Sequence, residues 1–129
     1  MTLLDTHIVV WLAFEPDKLS KRAKEAIRAA RRQGGLAIAA ITLMELAWLA
    51  ENGRIETTLS TESFVRMCAS KMTVIPITPE IAARAVSFPD SYPKDPQDRL
   101  IGATALVEGV ELVTHDKSIK KSGLVPVIW

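Results

Sequence analysis

Features that define several common protein classes are missing from this 129-residue sequence. Cys68 is the only cysteine, which excludes an internal disulfide framework and a cysteine-rich zinc site and fits a reducing cytoplasm. No uncharged run approaches the ~18 residues of a membrane-spanning helix, and the opening residues lack the basic region of an export signal. A glycine-rich phosphate loop is also absent, which argues against a nucleotide-dependent enzyme. We therefore expect a cytoplasmic protein with no membrane partner.

Neither sign of charge is in excess. The 16 Lys and Arg residues against 15 Asp and Glu residues give a formal net charge of +1. Any binding of nucleic acid must therefore come from local basic patches. Apolar residues make up 48% of the chain and its mean hydropathy is +0.16, as in ordinary globular proteins. A chain of this length is expected to form a single domain over residues 1–129.

Short apolar strands alternate with helical segments along the sequence. The predicted strands are 2–4, 36–40, 73–77, 111–114 and 125–128. The predicted helices are 8–14, 21–33, 42–52, 60–70, a short one from Pro79, 95–108, and a turn from Asp116. This alternation predicts an α/β protein with a parallel sheet covered by helices on both faces.

Acidic side chains recur where the predicted strands end or the following helices begin. Ligands of open α/β sheets collect at this edge. The candidate catalytic residues are therefore Asp5, Glu45, Asp98 and Asp116, with Asp95 as a fifth acid.

Each acid taken alone has another explanation, as a helix cap. Thr42-x-x-Glu45 matches a capping box, and Asp95 and Asp116 stand where N-caps are favoured. Capping does not explain why Glu45 is flanked by apolar residues, where an unpaired carboxylate costs several kcal/mol. A bound divalent cation would neutralise clustered carboxylates, and oxygen ligands favour Mg²⁺ or Mn²⁺ over zinc. For His7 and His115, hydrogen-bonding or core roles are favoured over direct metal ligation.

Other residue patterns allow two readings. Lys21, Lys24, Arg28 and Arg31 recur at helical spacing, so they form either a phosphate-binding stripe or a solvated helix face.

Trp11 and Trp48 lie in apolar helical stretches, which favours core or dimer contacts over base stacking. An alternative enzyme class is a phosphatase or phosphotransferase with Asp5 as the nucleophile. Such enzymes commonly need an acid two residues later, where this sequence has His7, so this reading is disfavoured.

Four segments, in order and with matching spacing, resemble the PIN-domain ribonucleases, and in particular the VapC-type toxins of toxin–antitoxin pairs. The segments are LLDTH at 3–7, TLMELA at 42–47, DPQDRLIGATA at 95–105 and LVTHD at 112–116. The resemblance covers nearly the whole chain. It implies a PIN-like α/β/α sandwich, with a central parallel sheet of four or five strands flanked by helices.

The resemblance also implies a site and an activity. Asp5, Glu45, Asp98 and Asp116 would be metal ligands, with Asp95 as a further candidate and with Thr114 and Arg99 as supporting neighbours. The implied function is a cytoplasmic endoribonuclease that uses one or two Mg²⁺ or Mn²⁺ ions, commonly as a homodimer, and is inhibited by a small antitoxin. The alternative is a catalytically silent PIN-like module that binds RNA or a protein partner.

Overall fold

Five short parallel strands form the centre of the computed structural model, which describes residues 1–129. They are β1 (Thr2–Leu4), β2 (Leu36–Ala39), β3 (Met72–Ile75), β4 (Leu112–Val113) and β5 (Val127–Ile128), and they lie in the order β3-β2-β1-β4-β5. The helices are α1 (Thr6–Phe14), α2 (Lys21–Arg32), α3 (Ala40–Glu51), α4 (Thr61–Ala69), α5 (Pro79–Val86), α6 (Pro96–Glu108) and α7 (Lys117–Ser122). A 3₁₀ turn, Pro16–Lys18, follows α1.

Alternate residues of each inner strand enter two separate apolar cores. In β1, Leu3 faces the core formed by α5, α6 and α7, while Leu4 faces the core formed with α1, α2, α3 and α4. Both side chains are fully buried, and burying a leucine contributes roughly 1.5–3 kcal/mol. The predicted α/β/α sandwich with a parallel sheet is confirmed.

The order of the strands reverses at β1, and this reversal creates the site described below. The chain moves from β1 to β2 on one side and later returns to β4 on the other. The backbone N–H of Asp5 donates to the carbonyl of Val113, 3.0 Å away, so the ends of β1 and β4 are adjacent. A crevice at such a switch point is the usual ligand site of an open α/β sheet.

Several predicted boundaries were wrong by a few residues. The helix α1 begins at Thr6 rather than residue 8, because Asp5 already occupies its N-cap. The strand β3 ends at Ile75 rather than residue 77, since Pro76 has no N–H to donate to a neighbouring strand.

The predicted capping box at Thr42 was also wrong. The helix α3 begins at Ala40 directly after β2, and its N-cap, Ala39, has no side chain that can accept a hydrogen bond. Glu45 therefore lies in the second turn of α3 rather than the first. The hydroxyl of Thr42 is buried and pairs with a different helix, as described below.

The tryptophans differ in their surroundings. Trp48 is 66% exposed on α3, whereas Trp11 is partly buried on α1 and packs against the core formed with α1, α2, α3 and α4. The prediction of a core or dimer contact therefore holds for Trp11 as a contact with that core, while Trp48 lies outside the cores and its dimer contact stays a prediction. None of the helices combines the length and the apolar character needed to cross a bilayer.

Gly102 allows a surface loop to pack closely on α6. A Cβ atom at this position would lie 2.3 Å from the Tyr92 hydroxyl oxygen and 3.0 Å from a ring carbon of Phe88.

Hydrogen bonds hold the same loop against α6. The Tyr92 hydroxyl donates to the carbonyl of Asp98 at 3.2 Å. The guanidinium of Arg99 donates to four carbonyls of the same loop, those of Phe88, Pro89, Tyr92 and Pro93. These contacts fix the first turn of α6.

We expect Gly102→Ala to destabilise the protein, although alanine is the better helix former by about 1 kcal/mol. Overpacking against a buried tyrosine costs about 1–3 kcal/mol, so the melting temperature should fall by several degrees in circular dichroism. Tyr92→Phe removes the closest atom, and the loss caused by Gly102→Ala should be smaller in that background. An equal or higher melting temperature for Gly102→Ala would contradict this account of the packing.

Candidate active site

Asp5 is the carboxylate at the centre of the switch point. It follows β1 and caps α1, and its Oδ1 accepts a hydrogen bond from the Thr6 N–H at 2.8 Å. Its Oδ2 accepts from the Thr114 hydroxyl at 2.7 Å. Burial raises the pKa of Asp5, while these two hydrogen bonds lower it. The two donors hold the carboxyl group in one orientation at the end of the sheet.

Glu45 is positioned by two buried threonines. Its Oε1 accepts from the Thr6 hydroxyl at 2.7 Å, and the Thr6 oxygen lies 3.0 Å from that of Thr42. The hydroxyls form a short chain because Thr42 can donate to Thr6 while Thr6 donates to Glu45. Burial raises the pKa of Glu45; the Thr6 hydrogen bond opposes this rise, and the charge of Asp5 adds to it.

Asp95 and Asp98 stand at the start of α6. Asp95 caps the helix by accepting from the Gln97 N–H at 2.9 Å, as predicted. Asp98 lies in the first turn, and burial raises its pKa to about 7. The charges that raise it further belong to Asp5, Asp95, Asp116 and Glu45, which shows that all five acids share one electrostatic environment.

Asp116 closes the site on the β4 side. Its Oδ1 caps α7 by accepting from the N–H groups of Ser118 and Ile119 at 2.8 and 3.2 Å. Its backbone N–H donates to the Thr114 oxygen at 3.1 Å, while the Thr114 hydroxyl donates to Asp5. Thr114 therefore connects two of the candidate acids, as the resemblance implied for a supporting residue.

No lysine or arginine neutralises this group of acids. The two ion pairs of the structure, Lys18–Glu15 and Arg66–Glu62, lie elsewhere on the surface. Arg99 was expected to be a supporting neighbour of the acids, and its guanidinium donates to carbonyls of the loop that precedes α6. The carboxylates thus form a concentrated negative charge that the protein itself leaves uncompensated.

The donor set fits a hard divalent cation better than zinc. Every site acid offers oxygen, the only cysteine is Cys68 on α4, a helix that carries none of the acids, and both histidines are exposed at the rim. No three Asp, Glu, His or Cys side chains converge closely enough to form a ready-made ligand group. Mutual repulsion of uncompensated carboxylates gives a physical reason for that spacing.

An open pocket of about 320 Å³ adjoins Glu45. Its polar wall includes Thr6, His7 and Gln97, and its apolar wall includes Met44 and Trp48. A pocket of this size can admit a group of small-molecule dimensions beside the acids.

The four predicted phosphate-binding residues lie apart from the acids on α2, a helix that contacts β1, β2 and β5. The structure gives none of them a hydrogen bond or ion pair to the five carboxylates. Lys21, Arg28 and Arg31 are exposed and Lys24 is partly buried, whereas Ala23 and Ile27 of the same helix are buried.

Sequence reasoning missed the parts played by Thr6 and Thr42. Both hydroxyls are buried, and both act on a carboxylate through a contact between helices distant in sequence. The only signal in the sequence for these roles was the position of the two threonines. Thr6 directly follows the acid that ends a strand, and Thr42 lies inside an apolar helix.

Three comparisons place this geometry among known proteins. The PIN domain family model matches residues 2–123. The chain is 45% identical to Ribonuclease VapC22 of Mycobacterium tuberculosis over 118 residues, which cover 92% of this chain and 88% of that protein.

Solved structures give the same result for the fold. A toxin–antitoxin complex from Klebsiella pneumoniae contains a chain 29% identical to this one, with a TM-score of 0.65 and coverage of 92% and 89% of the two chains. The DNA-bound VapBC of Salmonella typhimurium matches with a TM-score of 0.72 at 20% identity, covering 98% and 97% of the chains. Since the family model spans nearly all of the sequence and the acids stand at the expected edge of the sheet, the chain belongs to the PIN domain family.

Proposed function

We propose that this chain is a metal-dependent endoribonuclease that hydrolyses RNA phosphodiester bonds and acts as the toxin of a toxin–antitoxin pair. The observation that carries the proposal is the group of five acids at the switch point, with no lysine or arginine to neutralise them. The 45% identity to a ribonuclease supports the reaction, and the 29% identity to a chain of a toxin–antitoxin complex supports the partner.

Mg²⁺ or Mn²⁺, as one or two ions, is the cofactor that these residues favour. Asp5, Asp98 and Asp116 would hold it, with Glu45 and Asp95 beside them. A divalent cation supplies Lewis-acid stabilisation of phosphate charge and lowers the pKa of a water molecule. Burial together with the charges of the neighbouring acids raises the pKa of Asp98 to about 7, and a bound cation would offset the part of that rise due to the charges.

Glu45 is the proposed base for the attacking water. Its raised pKa makes it a stronger proton acceptor than an exposed glutamate, and Thr6 occupies only its Oε1. The water oxygen forms a bond to phosphorus, Glu45 takes the water proton, and the bond between phosphorus and the 3′-oxygen breaks, with the departing oxygen taking a proton from solvent water. The products are a 5′-phosphate and a 3′-hydroxyl.

Other surfaces suit the proposed partners. The stripe of Lys21, Lys24, Arg28 and Arg31 on α2 would contact RNA phosphates, since all four cations lie on one helix face. Met44 and Trp48, which are 50% and 66% exposed on α3, offer apolar surface for a second copy of the chain in a homodimer. We place the protein and its antitoxin in the cytoplasm, where RNA is available.

Asp5→Asn and Asp98→Asn should each reduce RNA cleavage about 10²–10⁴-fold, because each removes a charge of the metal-binding group. The measurement is cleavage of cellular RNA with Mg²⁺, Mn²⁺ or EDTA, with sequencing of the product ends. Asp90→Asn, on an exposed loop residue, is the matched control and should cleave normally. Products with 2′,3′-cyclic phosphate ends would contradict the mechanism. RNA binding without cleavage by the wild-type protein would favour the alternative of a silent binding module.

Thr6→Val should lower cleavage by one to two orders of magnitude, since Glu45 loses the donor that orients it. Thr6→Ser keeps the hydroxyl and should restore most of the rate. The pH–rate profile distinguishes a positioning role from simple destabilisation. Only a changed environment of Glu45 would shift the limb of the profile that reports the pKa of Glu45 in Thr6→Val. Equal activities for the valine and serine variants would refute the role of Thr6.

The metal-free protein should lose stability as the pH rises from about 4 to about 7. In this range the folded chain retains a proton on Asp98 that the unfolded chain has released, so ionisation favours unfolding. In EDTA, Asp98→Asn should therefore melt a few degrees above the wild type at pH 8, and the difference should vanish near pH 4. Added Mg²⁺ should raise the melting temperature of the wild type more than that of the variant. A variant less stable than the wild type at pH 8 would contradict the assigned cost of ionising the buried Asp98 beside the other acids.

A further inference from the structure

Arg99 is adjacent to Asp98 in α6, yet its side chain forms no ion pair with any acid. All of its hydrogen bonds go to the segment that joins α5 to α6, residues 87–95, here named the α5–α6 loop. The guanidinium donates to four loop carbonyls, those of Phe88 at 2.7 Å, Pro89 at 3.2 Å, Tyr92 at 3.4 Å and Pro93 at 3.0 Å. One side chain therefore fastens four points of the loop to the helix.

The composition of the α5–α6 loop explains why it needs a donor from outside. Pro89 and Pro93 have no backbone N–H, so the loop can satisfy few of its own carbonyls. The carbonyl of Pro89 also accepts from the Tyr92 N–H at 3.0 Å. The other three carbonyls have Arg99 as their only donor within the protein. The conformation of the loop therefore depends on this guanidinium.

Two of the five site acids are attached to this loop. The loop ends at Asp95, whose carboxylate caps α6 and whose carbonyl accepts from the Arg99 N–H at 3.1 Å. Asp98 follows in the first turn of α6, and its carbonyl accepts from the Tyr92 hydroxyl. The remaining acids lie on other elements, after β1, in α3 and after β4. The spacing between the α6 acids and the others is therefore set partly by how the loop is held.

Divalent cations differ in how strictly they require such spacing. Mg²⁺ demands near-octahedral oxygen ligands at about 2.0–2.1 Å, whereas Ca²⁺ accepts six to eight oxygens at about 2.3–2.6 Å in flexible geometry. Mn²⁺ also takes octahedral oxygen ligands. Carboxylates on a fixed support can hold the stricter ions, while carboxylates on a loosened support favour Ca²⁺ by comparison.

We propose that Arg99 is a positioning residue that sets the metal selectivity of the site. By fixing the α5–α6 loop it holds Asp95 and Asp98 at a spacing that fits Mg²⁺ or Mn²⁺ and disfavours Ca²⁺. The proposal rests on the proposed function, because the ion is the cofactor proposed there. Arg99 contacts neither the ion nor the RNA in this role, and acts through the loop and the first turn of α6.

Charge and positioning predict opposite effects for Arg99→Gln. Removing a positive charge near a cation site strengthens cation binding if only the Coulomb interaction matters. Loss of the loop contacts weakens binding of the stricter ion instead. Arg99→Lys separates the two causes further, since it keeps the charge but replaces a planar fork of five donors by an ammonium with three. Under the proposal both variants change selectivity in the same direction.

The test is isothermal titration calorimetry of the metal-free protein with MnCl₂ and with CaCl₂ at pH 8, without RNA. Arg99→Gln and Arg99→Lys should each bind Mn²⁺ about tenfold more weakly, as when a partner of a metal ligand is removed, and Ca²⁺ within about twofold of the wild type. Tyr92→Phe loosens the same loop without changing a charge, and should shift the Mn²⁺/Ca²⁺ ratio in the same direction by a smaller factor.

Two control variants separate positioning from charge and from stability. Arg84→Gln removes the same charge from an exposed position of α5 and should keep the wild-type affinities. Ile27→Val destabilises the core on the other face of the sheet and should keep the wild-type selectivity. Circular dichroism of each variant checks that it is folded.

Tighter binding of both ions by Arg99→Gln, or a wild-type Mn²⁺/Ca²⁺ ratio in both Arg99 variants, would overturn the positioning role. So would an equal fall of the ratio in Ile27→Val, since lost stability would then account for it. A wild-type protein that binds neither ion would overturn this proposal together with the proposed metal dependence. A wild type that binds Mn²⁺ selectively, loses that selectivity in the Arg99 variants and cleaves no RNA would refute the ribonuclease activity alone.

Discussion

The concentration of negative charge at the end of β1 is the constraint on which the other features of the site depend. Five carboxylates share this edge, and burial together with their mutual repulsion raises the pKa of Asp98 to about 7. A fold that needed only stability would not gather five carboxylates without a neutralising charge. This chain leaves the charge unpaired, and the resulting cost to stability is what the proposed cation site would require.

The surrounding structure holds the acids in place without neutralising them. Thr114 and the backbone of Thr6 fix Asp5, and the Thr6 hydroxyl fixes Glu45. These neutral donors orient a carboxylate while leaving its charge available. Asp98 is held in place indirectly. Arg99 and the close packing at Gly102 fix a loop against α6, the helix that carries Asp98.

The sequence by itself determined the α/β class, the parallel sheet and the position of acids at strand ends, because these follow from local periodicity and from residues adjacent in the chain. It misplaced the start of α3 and did not show that Trp48 would be exposed, since local apolar context does not reveal which helix face meets the sheet. Only the tertiary structure decided that Thr6 would orient Glu45, that Arg99 would hold a loop, and that Trp129 would lie on His115. Some of these contacts join residues that are distant in the chain, and others depend on the conformation of a loop. Their geometry arises when the helices pack on both faces of the sheet.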